Sequence, residues 1–141
     1  MDQQIKDTFY RAFYDQIKNT VNSDKPDYDW LVKLYTEIRD RLMNYIKNPK
    51  ISKEIHDSFD IELFRQMITN NVFDSSSMTK LVETTFYWIK YLEAPYRDEE
   101  TDKSKMIVYS SEPSLMVVSF IREVHRCLDN LDDDIANMNK R

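Results

Sequence analysis

The chain of 141 residues contains no glycine. Glycine takes positive φ without steric cost, so hairpin turns and β-bulges draw on it heavily. Its absence leaves helices joined by Asn, Asp, Ser and Pro as the readiest architecture. It also excludes the glycine-rich cradles of P-loop and dinucleotide-binding proteins, and the serine elbow of α/β-hydrolases. Alanine is scarce too, so bulky Tyr, Phe, Ile and Leu must fill the interior. Hydrophobic residues reach 41% and aromatics 13%, which argues for a folded core despite a charged fraction of 32%. One domain is expected over residues 1–141, able to bury roughly 65–70% of its unfolded surface without disulfide or metal.

Apolar residues recur at helical spacing along most of the chain. Ile5, Phe9, Ala12, Phe13, Ile17 and Val21 share a stripe, predicting a helix over about residues 3–22. NSDKPDYD breaks it, and Asp27 or Asp29 is available to cap a second helix running to about Lys47. Pro49 stops that helix, because the residue before proline is pushed out of helical geometry. SKEIHDSF is expected to form a short helix, Asp60 to cap IELFRQMITNNVF, and Asp74 to cap SSSMTKLVETTFYWIKYLE. RDEETDKSKMIVY forms a further short helix, and a long one runs from about Glu112 to Asn139. The fold class is all-α, a single-domain antiparallel bundle of six or seven helices without internal repeat or linker.

Composition also narrows function. A net charge of −5 weighs against general nucleic-acid binding, which needs clustered cations. The basic stretch with Arg39, Arg41, Lys47, Lys50 and Lys53 is interrupted by Asp40 and Glu54, and reads as a solvated helix face. Cys127 is the single cysteine, which fits a reducing compartment and a buried small hydrophobe. No apolar run approaches a membrane span and MDQQIKD does not read as a signal peptide, so a cytoplasmic protein is expected. The abundance of Asn, Ile, Lys and Tyr follows AT-rich codons, as in some protists and large DNA viruses.

Catalytic and metal constellations are hard to assemble from this chain. His125 and Cys127 point about 200° apart on a helix and cannot form a nucleophile pair. His56 is the other histidine, so a four-ligand zinc site is out of reach. EIH and EVH lack the Glu-x-x-His spacing of di-iron bundles. LDDDIAN lacks the spaced ligands of a calcium loop and reads as a solvated face. No catalytic residue, cofactor or metal is therefore expected. Tyr10, Tyr14, Tyr87 and Tyr91 sit beside their apolar stripes at i, i+4 spacing and are candidate interface aromatics.

One corner holds the remaining interest. In WIKYLEAPYRDEE, Pro95 ends a helix, and Asp98, Glu99 and Glu100 fall in the first turn of the next, where they complement its dipole. Asp134 borders the apolar stripe of Leu128, Leu131, Ile135 and Met138 on the last helix, with Asn137 one turn on. Arg97 is expected to fold back onto Asp134, with Asn137 completing the hydrogen bonds. A solvated local pair with Glu100 is the alternative. The motif reads as a structural corner first and a docking surface second.

LEAPYRDEE resembles the Ala-Pro-x-Arg-Asp-Glu-Glu segment of the T-complex protein 11 family, and IREVHRCLDNLDDDIANMN resembles its segment ending in Leu-x-x-Asp-x-Ala-Asn. The aromatic-rich opening FYRAFYDQIKNTVNSDKPDYDWLVKLYTEIRDRL and the stretch FDIELFRQMITNNVFDSSSMTKLVETTFYWI follow the same order. TDKSK departs from the family's more apolar turn, and the chain looks like the N-terminal part of longer members. The resemblance implies a helical, intracellular protein without catalytic residues, linked to signalling through the cyclic-AMP–dependent protein kinase pathway. The expected partner is another protein. A structural or homo-oligomerising role is the alternative, in a viral copy of a host domain.

Overall fold

A computed structural model describes residues 28–70 and 75–139, together with positions 4, 5, 8, 11, 12, 15, 16, 18 and 19 of the N-terminal segment. Those N-terminal positions are helical. The expected caps Asp27 and Asp74 lie outside the described residues, as do Tyr10 and Tyr14. In chain order the elements are α1 (Tyr28–Asn44), α2 (Pro49–Ser58), α3 (Ile61–Thr69), α4 (Ser75–Leu92), a 3₁₀ turn (Pro95–Arg97), α5 (Asp98–Ser110), a second 3₁₀ turn (Pro113–Leu115) and α6 (Met116–Asn139). There is no strand among the described residues, so the chain is all-α. Against the expected six or seven helices, these residues hold five of ten residues or more, one of nine and two single 3₁₀ turns.

Helix boundaries shift from expectation where side chains compete for backbone groups. Asn48 caps α2 by accepting from the Lys50 N–H at 2.9 Å, so Pro49 opens that helix at its first position, where a missing N–H is harmless. The preceding helix has already ended at Asn44 rather than Lys47. Asp60 caps α3 as expected, accepting from the Leu63 N–H at 3.0 Å, but the helix stops at Thr69. Asp29 sits inside the first turn of α1, so it does not cap it. Its carboxylate instead accepts from Arg65 of α3 at 2.7 Å. Pro113 turns what was expected as the start of the last helix into a 3₁₀ turn, and α6 proper begins at Met116.

The long helix α6 is the member around which the rest gathers, packing on α1, α4 and α5, while α1 also packs on α2 and α3. Val118, Phe120, Ile121, Val124, Leu128 and Leu131 of α6 are buried beside Ile38 and Leu42 of α1 and Phe86 of α4. Aromatics fill the volume that aliphatics leave, as the composition predicts. Tyr35 stacks on Phe64 at 4.0 Å between ring centres and meets Phe59 at a tilt. Truncating a fully buried Ile38 or Leu42 to Ala would cost about 2–5 kcal/mol. The α6 stripe outlives the core: beyond Leu131, Ile135 and Met138 are exposed, the latter at 72%.

Candidate functional site

Pro95 cannot continue α4, and the 3₁₀ turn Pro95–Arg97 swings the chain directly into α5. Asp98, Glu99 and Glu100 occupy the first turn of α5, where unpaired N–H groups favour negative charge. The turn aims Arg97 at α6. Its Nε donates to Asp134 Oδ2 at 3.0 Å and its Nη2 to Oδ1 at 2.8 Å, the parallel geometry that guanidinium and carboxylate share. Nη1 donates to Glu100 Oε2 at 2.9 Å, so the local pair exists alongside the long-range one.

Asn137 does not complete this arrangement. It lies exposed on the next turn of α6, because one full helical turn beyond Asp134 carries it past the corner. Tyr96 takes the role: its hydroxyl donates to Asp134 Oδ1 at 2.6 Å and its ring lies 5.1 Å from the Arg97 guanidinium carbon. The two charged side chains are 21% and 18% exposed, at the rim rather than in the core. Hydrogen bonding from Arg97 holds the Asp134 carboxyl below the usual carboxylate range, and the same bond raises the guanidinium.

A second anchor, unforeseen from the sequence, ties α1 to α6. Arg41 Nη2 donates to Asp129 Oδ1 at 2.8 Å and to Asp132 Oδ2 at 2.7 Å. The Tyr45 hydroxyl also donates to Asp132. Arg41 Nη1 lies 3.3 Å from His125 Nδ1, and His125 Nε2 lies 3.4 Å from the Leu34 carbonyl. A carbonyl only accepts, so Nε2 carries the proton and Nδ1 accepts from Arg41. Burial, reinforced by Arg41, lowers the histidine below its ordinary value and keeps the ring neutral. Asp132 and Asp133 are exposed, as a solvated face would have them, but Arg41 and Asp134 are half-buried in contacts between helices, which corrects that reading for these two. Asp132 and Asp134 are both bound by arginines, because two elements distant in sequence converge on this end of α6.

The other sequence candidates fall on a different face. Tyr87 and Tyr91 of α4 are 61% and 53% exposed and bracket the buried Trp88, whose ring each meets edge-on at 5.1 and 5.5 Å. Trp88 Nε1 donates to Ser58 Oγ at 3.2 Å, which fixes the indole under the tyrosines. Cys127 is buried, and burial pushes its thiol up to about 12. A cleft where α2 and α3 meet α4 is lined by Phe59, Leu63 and Lys80 with Asp57 and Asp60. Asp60 is spent on capping α3, while Asp57 pairs with Lys53 and His56. Among the described residues no group of three or more His, Cys, Asp or Glu is placed to hold a metal, and no helix is long and apolar enough to cross a membrane.

Glu123 is a further residue that the sequence reading did not single out. It is 0% exposed on α6, with Arg122 donating to Oε2 at 2.7 Å through Nε. Arg126 approaches the other oxygen at 3.7 Å. Its place three residues after Phe120 and four before Cys127 puts it on the buried stripe, a periodic signal that its charge masks.

Curated proteins resemble this chain over nearly its full length. The human T-complex protein 11 homolog (Homo sapiens) is 24% identical over 139 residues, covering 97% of this chain and 26% of its own length. The rat homolog (Rattus norvegicus) is 22% identical over 139 residues, covering 97% of this chain and 23% of its own length. The chain thus spans about a quarter of the curated relatives it matches. No solved structure matches it. The sequence model of the T-complex protein 11 family aligns with residues 1–139, corner and final helix included, and the chain belongs to that family.

Proposed function

We propose that this chain is a non-catalytic protein-interaction module, built as an antiparallel helical bundle and serving a regulatory role in signalling in the cytoplasm. The observation that carries this reading is the pair Tyr87 and Tyr91, held outward over a buried tryptophan. Exposed tyrosines on a rigid helix offer large contact area at low entropic cost, as interface hot spots do. The charged clusters support it from the other side. The arginines Arg41 and Arg97 are engaged in holding helices together, whereas the aromatic ridge is exposed and accessible.

The link to the cyclic-AMP–dependent protein kinase pathway is the finer part of the proposal. Titration of purified kinase regulatory and catalytic subunits into the chain tests it by calorimetry. Binding that is lost in Tyr87→Ala/Tyr91→Ala, with helicity unchanged, is the expected result. Binding to neither subunit would remove the kinase link. Binding that survives the double substitution would move the interface away from α4. Light scattering after size exclusion separates the structural alternative, since a large stable homo-oligomer favours assembly over recognition.

A further inference from the structure

The cleft where α2 and α3 meet α4 has a volume of about 500 Å³, within the range of small-molecule sites. Its lining is largely aromatic and apolar. Tyr35, Phe59 and Phe64 are almost fully buried there, Met67 and Leu81 are half-buried, and Leu63 is exposed at the lip. Tyr35 and Phe64 lie parallel at 4.0 Å, with Phe59 tilted against Tyr35. A further flat ring can meet such rings edge-on or offset without rearranging them.

Charge enters from two walls, and the two differ. On the α2–α3 side Asp57 is paired with Lys53 and His56. Asp60 accepts from the Leu63 N–H at the positive end of α3, so its charge is answered by that helix. On the α4 side, Glu83 is met by Lys105 and Lys90 by Asp102. Lys80 lines the cleft, is exposed, and meets no carboxylate among the described residues. Thr84, one turn further along α4, adds a hydroxyl to the same wall. An unanswered cation above aromatic rings favours an anion carried on a flat apolar body.

We propose that this cleft binds a small aromatic acid, with its ring against Phe59 and Phe64 and its anionic group at Lys80. The site is separate from the tyrosine ridge and does not depend on the recognition role proposed for it. Ser58 lines the cleft and also accepts from Trp88 Nε1, so the indole can report occupancy.

Anilinonaphthalene sulfonate, a fluorescent aromatic acid, is the probe. Trp30→Phe leaves Trp88 as the one tryptophan of the chain. In that background the dye should bind one to one, brighten, and quench Trp88. Lys80→Glu sets like charges together and should weaken binding about tenfold, with helicity unchanged. Leu63→Glu at the lip should weaken it as well. Lys103→Glu, the same reversal on the exposed face of α5, should leave it unaltered. 2-Naphthoate should displace the dye, and the uncharged 2-naphthalenemethanol should do so about fivefold less well. Absence of binding to the folded chain overturns the proposal. Binding that Lys80→Glu leaves intact, or that Lys103→Glu weakens equally, overturns it too, as does equal displacement by the alcohol.

Discussion

Replacing Asp134 with alanine should cost about 1.5 kcal/mol of folding stability, and the reasoning comes from the geometry of the corner. Two parallel bonds, at 3.0 and 2.8 Å, join Arg97 to Asp134. A hydrogen bond to a charged group contributes about 1.5–3 kcal/mol when shielded. An exposed ion pair contributes about 0.2–1 kcal/mol, and stranding one partner of a buried pair costs about 3–5. With side chains 21% and 18% exposed, water reaches both groups and screening pulls the value to the lower half of that span. Arg97→Ala should cost a similar amount, because it also frees Glu100. Urea unfolding of both single mutants and the double mutant should show a coupling of about 1 kcal/mol. Asp134→Asn, which keeps one acceptor, should fall between wild type and alanine. Single losses below about 0.5 kcal/mol that add fully in the double mutant would refute the clamp. The acid limb gives a further check. Asp134 is lowered in the fold, so its contribution is present above the unfolded value and disappears as pH falls through the lower folded one.

Three further outcomes follow from neighbouring features. Arg41→Met should cost about 1–2 kcal/mol by urea unfolding, because it removes the cation that Asp129 and Asp132 share, both partly exposed, and a donor to His125; a loss under about 0.5 would show that the anchor is ornamental. His125 is held neutral, so its share of stability is present above its unfolded value near 6.5 and is lost below it as pH falls through the lower folded one, and His125→Gln should flatten the profile there. Cys127 should resist alkylation by iodoacetamide in the native state and react only on unfolding, and Cys127→Ser should move the thermal midpoint by a few degrees at most.

The features legible in the sequence are those whose causes are local. Asp60 stands three residues before the N–H it caps, and the acids after Arg97 stand on the turn that favours them. Pro95 breaks a helix wherever it occurs in one. The pairing of Arg97 with Asp134 was within reach because the motif put one at a corner and the wheel put the other at the edge of a stripe. Arg41 lay beyond such reasoning. Its partners are 88 and 91 residues away, and on a wheel they belong to a polar face. Asn137 was misjudged for the same reason in reverse, since adjacency on one helix says nothing of the angle at which another chain segment arrives. Pro49 could be recognised as a stop, but its second role as a helix opener depended on Asn48 turning its side chain to Lys50.

The dependence of two arginines on α6 has a consequence for synthesis. The distant acids that meet Arg41 and Arg97, namely Asp129, Asp132 and Asp134, lie on the helix that follows every other described element. With Asp132 standing 91 residues after Arg41, a ribosome adding roughly 5–20 residues per second needs about 5–20 s between the two. During that interval α1 and the α4–α5 corner have emerged with their long-range ion pairs unmade and their apolar faces open. The emerging chain can make its helices in order, yet it cannot set their mutual angles until α6 arrives. Final docking is therefore a late event in the life of the nascent chain, and the open faces are the surfaces a chaperone would meet first.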